Sequence, residues 1–328
     1  MIISRTPFRI SFFGGGTDLP AWFEREEGVV LSTTIDKYCY ISCRKLPSFF
    51  EHKHRFVYSK QELVDKIDDI DHPSIRETFR FLNIQTGVEI QHASDLPARS
   101  GIGSSSSFTV GLLNSLYGLK GQMVSKEQLY RDAIHIEQNM IKESVGSQDQ
   151  VAAAVGGLNI IRFYQDRINV SPFFLNKDFL DEFKNRFMLF FTGISRMSGE
   201  IESEKIAQMY KKVKHYALLK DLAEQGIHSL LNEDLVEFSK ALKDSWAVKK
   251  ELSDRVTNST IDSIYHCGIN NGAAGGKLLG SGGGGFILFF VDPDKKELLK
   301  EKLKDLMCIP FDFDIGGSKI IYYNGDRI

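Results

Sequence analysis

The chain has 328 residues, 42% of them hydrophobic and 26% charged, which is the composition of a globular protein large enough for two domains. Its 41 basic and 43 acidic residues leave a formal net charge of −2. This argues against a nucleic-acid-binding protein, because such proteins usually carry a basic excess or a basic stripe. The four cysteines, at positions 39, 43, 267 and 308, form no CxxC pair, so we expect no disulfide or zinc framework.

The sequence also lacks targeting signals. The N-terminus, MIISRTPFRISF, has neither the long apolar core nor the small-residue cleavage site of a signal peptide. The longest apolar run, Phe286 to Val291, is far short of the ~20 residues that a membrane span needs. We therefore predict a cytoplasmic protein with neither membrane nor nucleic acid as a partner.

The first half of the chain predicts strands followed by helices. The expected strands are the N-terminal stretch up to Gly14, one or two strands in 29–44, and a strand at 87–92. Expected helices are 60–82, one from about 104 to Gly118, 125–143, and a short helix ending at Gly156. Ser125 with Gln128, and Ser147 with Gln150, have capping-box spacing before the last two helices.

The second half mixes the two element types. Strands are expected at 158–164, 187–192, 286–291 and 318–323, and helices at 201–214, 217–231, 233–250, 254–267 and 294–305. Because strands and helices do not alternate regularly, the pattern predicts an α+β fold. A division near residue 170 gives two predicted domains, 1–170 and 171–328.

Residues 97–107, PARSGIGSSSS, form a segment that we call the serine loop. Its glycines allow positive φ and close approach of a ligand to the backbone, and the first turn of the following helix leaves N–H groups unpaired. These features are typical of an anion site. A flexible turn with a serine N-cap is an equal alternative.

Two known phosphate-binding patterns do not fit. A Walker A loop around Lys277 would need a glycine at Asn271 and a hydroxyl residue at Leu278. A dinucleotide fingerprint starting at Gly101 would need a third glycine at Ser106. The serine loop must therefore bind its ligand by another scheme.

Two acidic residues lie downstream of the serine loop. Glu137 is flanked three and four residues away by Ala133, Ile134, Met140 and Ile141, which predicts a carboxylate on a packed helix face. It is either a metal ligand or a partner in a structural salt bridge. Asp149 falls in the first turn of the next helix, where it either complements the helix dipole or accepts a hydroxyl proton.

Three motifs occur in order: TPFRISFFGGGTDLP (6–20), LPARSGIGSSSS (96–107) and GAAGGKLLGSGGGG (272–285), the last of which we call the glycine run. They resemble the substrate motif, the ATP-phosphate motif PxxxGLGSSA and the C-terminal glycine motif of the GHMP kinases, named for galactokinase, homoserine kinase, mevalonate kinase and phosphomevalonate kinase. The resemblance implies that family's two-domain α+β fold, with an N-terminal ribosomal-S5-like ATP-binding domain and a C-terminal ferredoxin-like α/β domain.

The resemblance also implies roles for individual residues. Asp149, in VGSQDQ, matches the catalytic aspartate of the galactokinase motif GxMDQ, and Arg9 matches an arginine near the attacking hydroxyl. Ser105 and Glu137 would coordinate Mg²⁺, while Ser106 and Ser107 would begin the helix. ATP phosphates would contact Pro97, Gly101, Ile102, Gly103, Ser104, Ser105, Ser106 and Gly283. The acceptor would contact Gly15, Gly16, Thr17 and Asp18; Gly14-Gly15-Gly16 replaces the GEH of galactokinase, which argues against galactose.

Within the family, the segments FRISFFGGGTD, STTIDKYCYI, FFEHKHR and FTGISRMS are most similar to bacterial kinases of D-glycero-D-manno-heptose 7-phosphate. The resemblance implies phosphorylation of the C1 hydroxyl to the 1,7-bisphosphate, on the route to GDP-heptose. A phosphorylated acceptor needs a cationic receptor, which Lys53, His54 and Arg55, or Arg196, could supply. For each of these residues, a solvated basic loop is an equal alternative.

Two other functions stay open. One is a different sugar kinase, acting on fucose, galactose or a heptose without phosphate. The other is a ligand sensor that keeps the fold without catalysis, against which the intact set of Arg9, Ser105, Glu137 and Asp149 argues.

Overall fold

The computed structural model describes residues 1–194 and 198–324. The strands in this part are β1 (Ile2–Phe13), β2 (Gly28–Lys45), β3 (His54–Val57), β4 (Gln61–Val64), β5 (Val88–Ser94), β6 (Asn159–Phe163), β7 (Ile168–Pro172), β8 (Phe187–Phe191), β9 (Ala273–Leu278), β10 (Phe286–Val291), β11 (Met307–Ile309), β12 (Phe313–Asp314) and β13 (Lys319–Tyr323).

The α-helices in the same part are α1 (Pro20–Phe23), α2 (Pro73–Phe81), α3 (Ser104–Leu119), α4 (Lys126–Ile134), α5 (Gln148–Val155), α6 (Lys177–Lys184), α7 (Ser198–Gln208), α8 (Val213–Leu231), α9 (Leu235–Lys250), α10 (Ser259–Asn270) and α11 (Lys296–Lys302). The predicted α+β class is confirmed. Within the described ranges, no helix is both long enough and apolar enough to cross a bilayer.

The larger sheet has nine strands and is organised around the long β1–β2 pair. These two strands run antiparallel from the pair Ile2–Cys43 to the pair Phe13–Leu31. Helix α3 packs on them so closely that a Cβ at Gly111 would lie 2.9 Å from Thr6 Oγ1. This packing holds the N-terminus of α3 beside β1, where the Arg9 N–H donates to the Ile102 carbonyl at 3.1 Å.

The smaller sheet has four strands, in the order β11-β8-β10-β9. An aromatic cluster joins it to the larger sheet: the Phe12 ring of β1 stacks on Phe187 at 5.1 Å and meets Phe238 edge-on at 5.9 Å. Strands β12 and β13 then return to the larger sheet, pairing with β2 and β1. The predicted boundary at residue 170 falls within β7 of the larger sheet, and the second predicted domain also contributes β12 and β13 to that sheet.

Some local predictions need correction. The predicted helix 60–82 is wrong over its first half, which forms β4 and a short 3₁₀ turn; the helix begins only at Pro73, whose fixed φ suits a first helical position. The predicted helix 125–143 is α-helical only to Ile134 and continues as a π-helix over His135–Met140. The cap at Ser125 is confirmed, whereas the Ser147 side chain makes no cap hydrogen bond.

Candidate active site

A cleft of about 940 Å³ opens at the junction of the two sheets. It is lined by the serine loop, the end of β1, the start of α5, part of α7 and the glycine run. Residues from all three sequence motifs therefore line the same cavity.

The serine loop and the glycine run pack backbone against backbone. Gly101 and Gly280 both have positive φ, 82° and 73°, and a Cβ on Gly280 would lie 2.5 Å from the Gly101 Cα. Gly103 is the left-handed N-cap of α3, with φ 75°. The first residues of α3, Ser104 to Ser106, line the cleft, and the amide groups of a first helical turn have no partner within the helix, as an anion site requires.

Arg9 and Asp149 form a two-point ion pair in the cleft, although 140 residues separate them in the sequence. Arg9 Nε donates to Asp149 Oδ1 at 2.8 Å and Nη2 donates to Oδ2 at 2.9 Å. The third contact of the guanidinium, from Nη1, is to the Gly101 carbonyl at 2.6 Å. The side chain of Arg9 is 5% exposed and that of Asp149 24%, so the carboxylate is the partner that a ligand can reach.

Asp18 lies at the same cleft, held by backbone amides. Its Oδ1 accepts from the Gly16 N–H at 2.8 Å, and its Oδ2 accepts from the Gln148 N–H at 3.2 Å. Burial, together with the charges of Asp149 and Glu202, raises the pKa of Asp18 to about 6. The loop after β1 and the start of α5 thus fix one carboxyl group beside the Arg9–Asp149 pair.

Glu137 is buried next to the serine loop, as its apolar neighbours predicted. Its Oε2 accepts from the Ser106 hydroxyl at 2.9 Å and from the Gln150 side-chain amide at 2.5 Å. Burial raises its pKa to about 7, against the opposing effect of the neighbouring Thr109 and Ser106 hydroxyls and Gln150. Oε1 is buried without a hydrogen-bond partner among the described residues. Ser106 therefore does more than begin the helix, and the Ser105 side chain is exposed at the cleft.

One end of the cleft is lined by flat rings. Phe108 of α3 stacks against His72 with ring centroids 4.7 Å apart, and His92 meets Phe108 edge-on at 5.1 Å. The Tyr58 ring meets His72 edge-on at 4.9 Å. All four residues line the cavity beyond the serine loop. We call this part the aromatic pocket.

Models of two protein domains match the chain: "GHMP kinases N terminal domain" over residues 73–157 and "GHMP kinases C terminal" over residues 227–307. The first range contains the serine loop and Asp149, and the second contains the glycine run.

The chain belongs to the GHMP kinase family. It is thus a phosphotransferase that takes phosphate from ATP and acts on an alcohol group.

Named relatives of this GHMP kinase include sugar kinases and a mevalonate kinase. It is 29% identical to the D-glycero-alpha-D-manno-heptose 7-phosphate kinase of Campylobacter jejuni, over 92% of this chain and 93% of the relative. It is 25% identical to the galactokinase of Pyrococcus furiosus, over 92% of both chains. Its fold matches a crystal structure described as a D-glycero-D-manno-heptose 1-phosphate kinase from Bacteroides thetaiotaomicron, with a TM-score of 0.81, 24% identity and coverage of 99% and 100%.

The cleft of this GHMP kinase gathers most of the residues predicted for the site. Arg9, Gly15, Gly16, Asp18, Gly101, Gly103, Ser104, Ser105, Ser106 and Asp149 all line it. Ser104 also closes its own loop, because its hydroxyl accepts from the Arg99 N–H at 3.1 Å. Glu137 lies behind Ser106.

Four residues of the three motifs that were predicted to contact ligands lie away from the cleft lining. The Thr17 hydroxyl is used inside its own turn, where it donates to the Gly14 carbonyl at 2.8 Å. Gly283 donates its N–H to the Val256 carbonyl at 2.9 Å. Ile102 is a core residue and Pro97 lies exposed at the start of the serine loop.

The basic residues of the segment FFEHKHR that were predicted to bind an acceptor phosphate lie away from the cleft lining. Lys53 is exposed, and its backbone N–H donates to Asp65 at 2.9 Å. Arg55 lies on β3, in register with Glu89 of β5. Neither residue lines the cleft. Arg196 lies outside the described residues.

Sequence reasoning missed three lysines and the aromatic pocket. Lys205, Lys249 and Lys277 line the cleft and are 2%, 5% and 3% exposed. Lys277 lies within the glycine run, but the sequence around it was tested only against the Walker A pattern. Lys205 is the single lysine of α7, and Lys249 follows two exposed lysines of α9, at 240 and 243, so no local pattern marks either one as buried.

Proposed function

We propose that this GHMP kinase transfers the γ-phosphate of MgATP to the C1 hydroxyl of D-glycero-D-manno-heptose 7-phosphate, forming the 1,7-bisphosphate. The observation that carries this proposal is the Arg9–Asp149 pair, in which a buried guanidinium presents a reachable carboxylate to the cleft. The likeness to the Campylobacter jejuni heptose kinase supports the choice of acceptor.

For the nucleotide, the serine loop supplies backbone amides and the N-terminus of α3. These groups favour the negatively charged phosphates of ATP. The aromatic pocket lies in the same cleft and suits a planar base, which would pack against the outer surface of its rings. The nucleoside end of ATP is thereby directed away from Asp149.

The residues around Glu137 fit a magnesium ion. A buried carboxylate oxygen without a hydrogen-bond partner, next to serine hydroxyls at the head of a phosphate loop, is an oxygen donor set of the kind that Mg²⁺ accepts. We propose Glu137 with Ser105 or Ser106 as its protein ligands. When bound, the ion would neutralise charge on the transferred phosphate.

Asp149 would accept the proton of the attacking hydroxyl. Its two oxygens are oriented by Arg9, so the carboxylate is held in one position, and the guanidinium also balances charge near the transferred group. Asp18, fixed by the Gly16 and Gln148 amides, would accept hydrogen bonds from sugar hydroxyls and orient the acceptor.

The test is ADP release by the purified protein, read through a coupled assay with a panel of sugars and sugar phosphates. We expect the highest kcat/KM with heptose 7-phosphate. A higher value with fucose, galactose or unphosphorylated heptose would identify a different sugar kinase. Tight ligand binding with no ADP release from any acceptor would support the non-catalytic sensor.

A further inference from the structure

Three buried lysines converge on the cleft from different elements. Lys205 lies on α7, Lys249 at the end of α9, and Lys277 on β9, and all three line the cavity. In the described part of the chain, the other buried lysine or arginine side chain is Arg9, which faces the same cavity. The buried basic side chains of lysine and arginine are thus concentrated in one place.

Lys205 has an acidic partner. Its Nζ lies 3.2 Å from Glu202 Oε1 and donates to the Ser281 carbonyl at 2.6 Å. Because of this ion pair, the charge of Lys205 is already balanced in the free protein. Glu202 also lines the cleft.

Lys249 and Lys277 lack such a partner. Lys249 Nζ donates to the Gly280 carbonyl, and Lys277 Nζ donates to the Phe12 carbonyl at 2.8 Å. No carboxylate of the described residues lies within ion-pair distance of either one. Each ammonium group has three donors, so each keeps donors for a ligand.

This arrangement is unfavourable in the free protein, because buried charges of like sign repel one another and have lost their water. Burial, with Arg9 and Lys205 nearby, lowers the pKa of Lys277 to about 7. Burial and the neighbouring lysines also lower the pKa of Lys249. A doubly charged anion would remove the repulsion and satisfy the unused donors.

Two contacts of the lysines lead toward the acceptor side of the cleft, whereas Gly280, the partner of Lys249, packs against the serine loop. Phe12, the partner of Lys277, lies on β1 between Arg9 and Gly15. Glu202, the partner of Lys205, is close enough to Asp18 to raise its pKa. The nucleotide phosphates have a separate site in the amides of the serine loop.

We propose that Lys205, Lys249 and Lys277 form the receptor for the phosphate group that the acceptor already carries. The inference rests on the proposed function, in which the acceptor is a sugar phosphate. It assigns to these lysines the role first predicted for Lys53 and Arg55.

The test compares Lys249→Met and Lys277→Met with Lys240→Met, a control on the same helix as Lys249 whose side chain is 67% exposed. Calorimetry measures the Kd of each protein for heptose 7-phosphate, ATP and inorganic phosphate. A hydrogen bond to a charged group contributes about 1.5–3 kcal/mol, so each cleft variant should bind heptose 7-phosphate about 10- to 100-fold more weakly. The Kd for ATP should change by less than about threefold, and the control should match wild type.

Thermal unfolding separates this role from a structural one. If the lysines serve only to bond the Gly280 and Phe12 carbonyls, the methionine variants should be less stable than wild type. We expect the free variants to be at least as stable, because a buried unpaired charge is removed.

Each failure has its own signature. Wild-type Kd values for heptose 7-phosphate in both variants, with normal turnover, would overturn the receptor and leave the function intact. A loss of ATP affinity as large as the loss for the sugar phosphate would also overturn it, by assigning the lysines to the nucleotide. Lysine-dependent binding of inorganic phosphate without ADP release from heptose 7-phosphate would support the receptor and reject the proposed acceptor.

Discussion

Replacing Asp149 by asparagine should affect catalysis and stability at once. The substitution removes the group proposed to accept the hydroxyl proton, so kcat should fall by about 10²–10⁴, with little change in the KM for ATP. It also leaves Arg9, whose side chain is 5% exposed, without its counter-charge. Removing one partner of a buried ion pair lowers the free energy of unfolding by about 3–5 kcal/mol. Because Asp149 is 24% exposed, we expect a loss of about 2–3 kcal/mol in the free energy of unfolding.

The double variant Arg9→Met/Asp149→Asn separates the two effects. With both charges removed, no buried guanidinium is left unpaired. The loss in the free energy of unfolding, measured in urea, should therefore be at least about 1 kcal/mol smaller than the sum of the losses of the two single variants. The turnover should stay low, because the proton acceptor is still absent. Wild-type kcat in the Asp149→Asn protein would remove the aspartate from the mechanism. Strictly additive stability losses would show that the two side chains are not coupled.

Three further predictions concern the walls of the cleft. Gly280→Ala should lower the free energy of unfolding by about 2 kcal/mol more than the control Gly121→Ala. Both glycines have positive φ, 73° and 69°, but an added Cβ would meet other atoms only at Gly280. Equal losses of stability in urea unfolding would contradict the close packing at Gly280. The KM for the acceptor should rise as pH falls through about 6, because protonation of Asp18 removes a charged hydrogen-bond acceptor; the same pH step in Asp18→Asn would reject that cause. Phe108→Leu should raise the KM for ATP up to about tenfold, because it removes a ring of the aromatic pocket against which the base is proposed to pack. The KM for the acceptor is the internal control, and an unchanged KM for ATP would contradict this position of the base.

The sequence predicted those parts of the site that lie within single segments. Glycines at 101 and 103 indicated close backbone approach, and the structure has positive φ at both of them. The apolar neighbours of Glu137 predicted its burial, which is confirmed. In both cases the information lies within a few residues along the chain.

Features formed between distant segments could not be read in this way. The Arg9–Asp149 pair joins residues 140 positions apart and was expected only from the family resemblance. The lysine receptor needs α7, α9 and β9 to converge, and lysines on helices are usually solvent-exposed. Lys53 and Arg55 lie two positions apart in a basic segment of the sequence, yet neither lines the cleft.

The most direct test of the proposed reaction is the structure of its product. The purified protein is incubated with MgATP and heptose 7-phosphate, and the product is examined by ³¹P–¹H correlation NMR. We expect one new phosphorus resonance, coupled to the anomeric proton, beside the original phosphate. ATP hydrolysis without a new sugar phosphate, or a new phosphate coupled to any other sugar proton, would contradict the proposal.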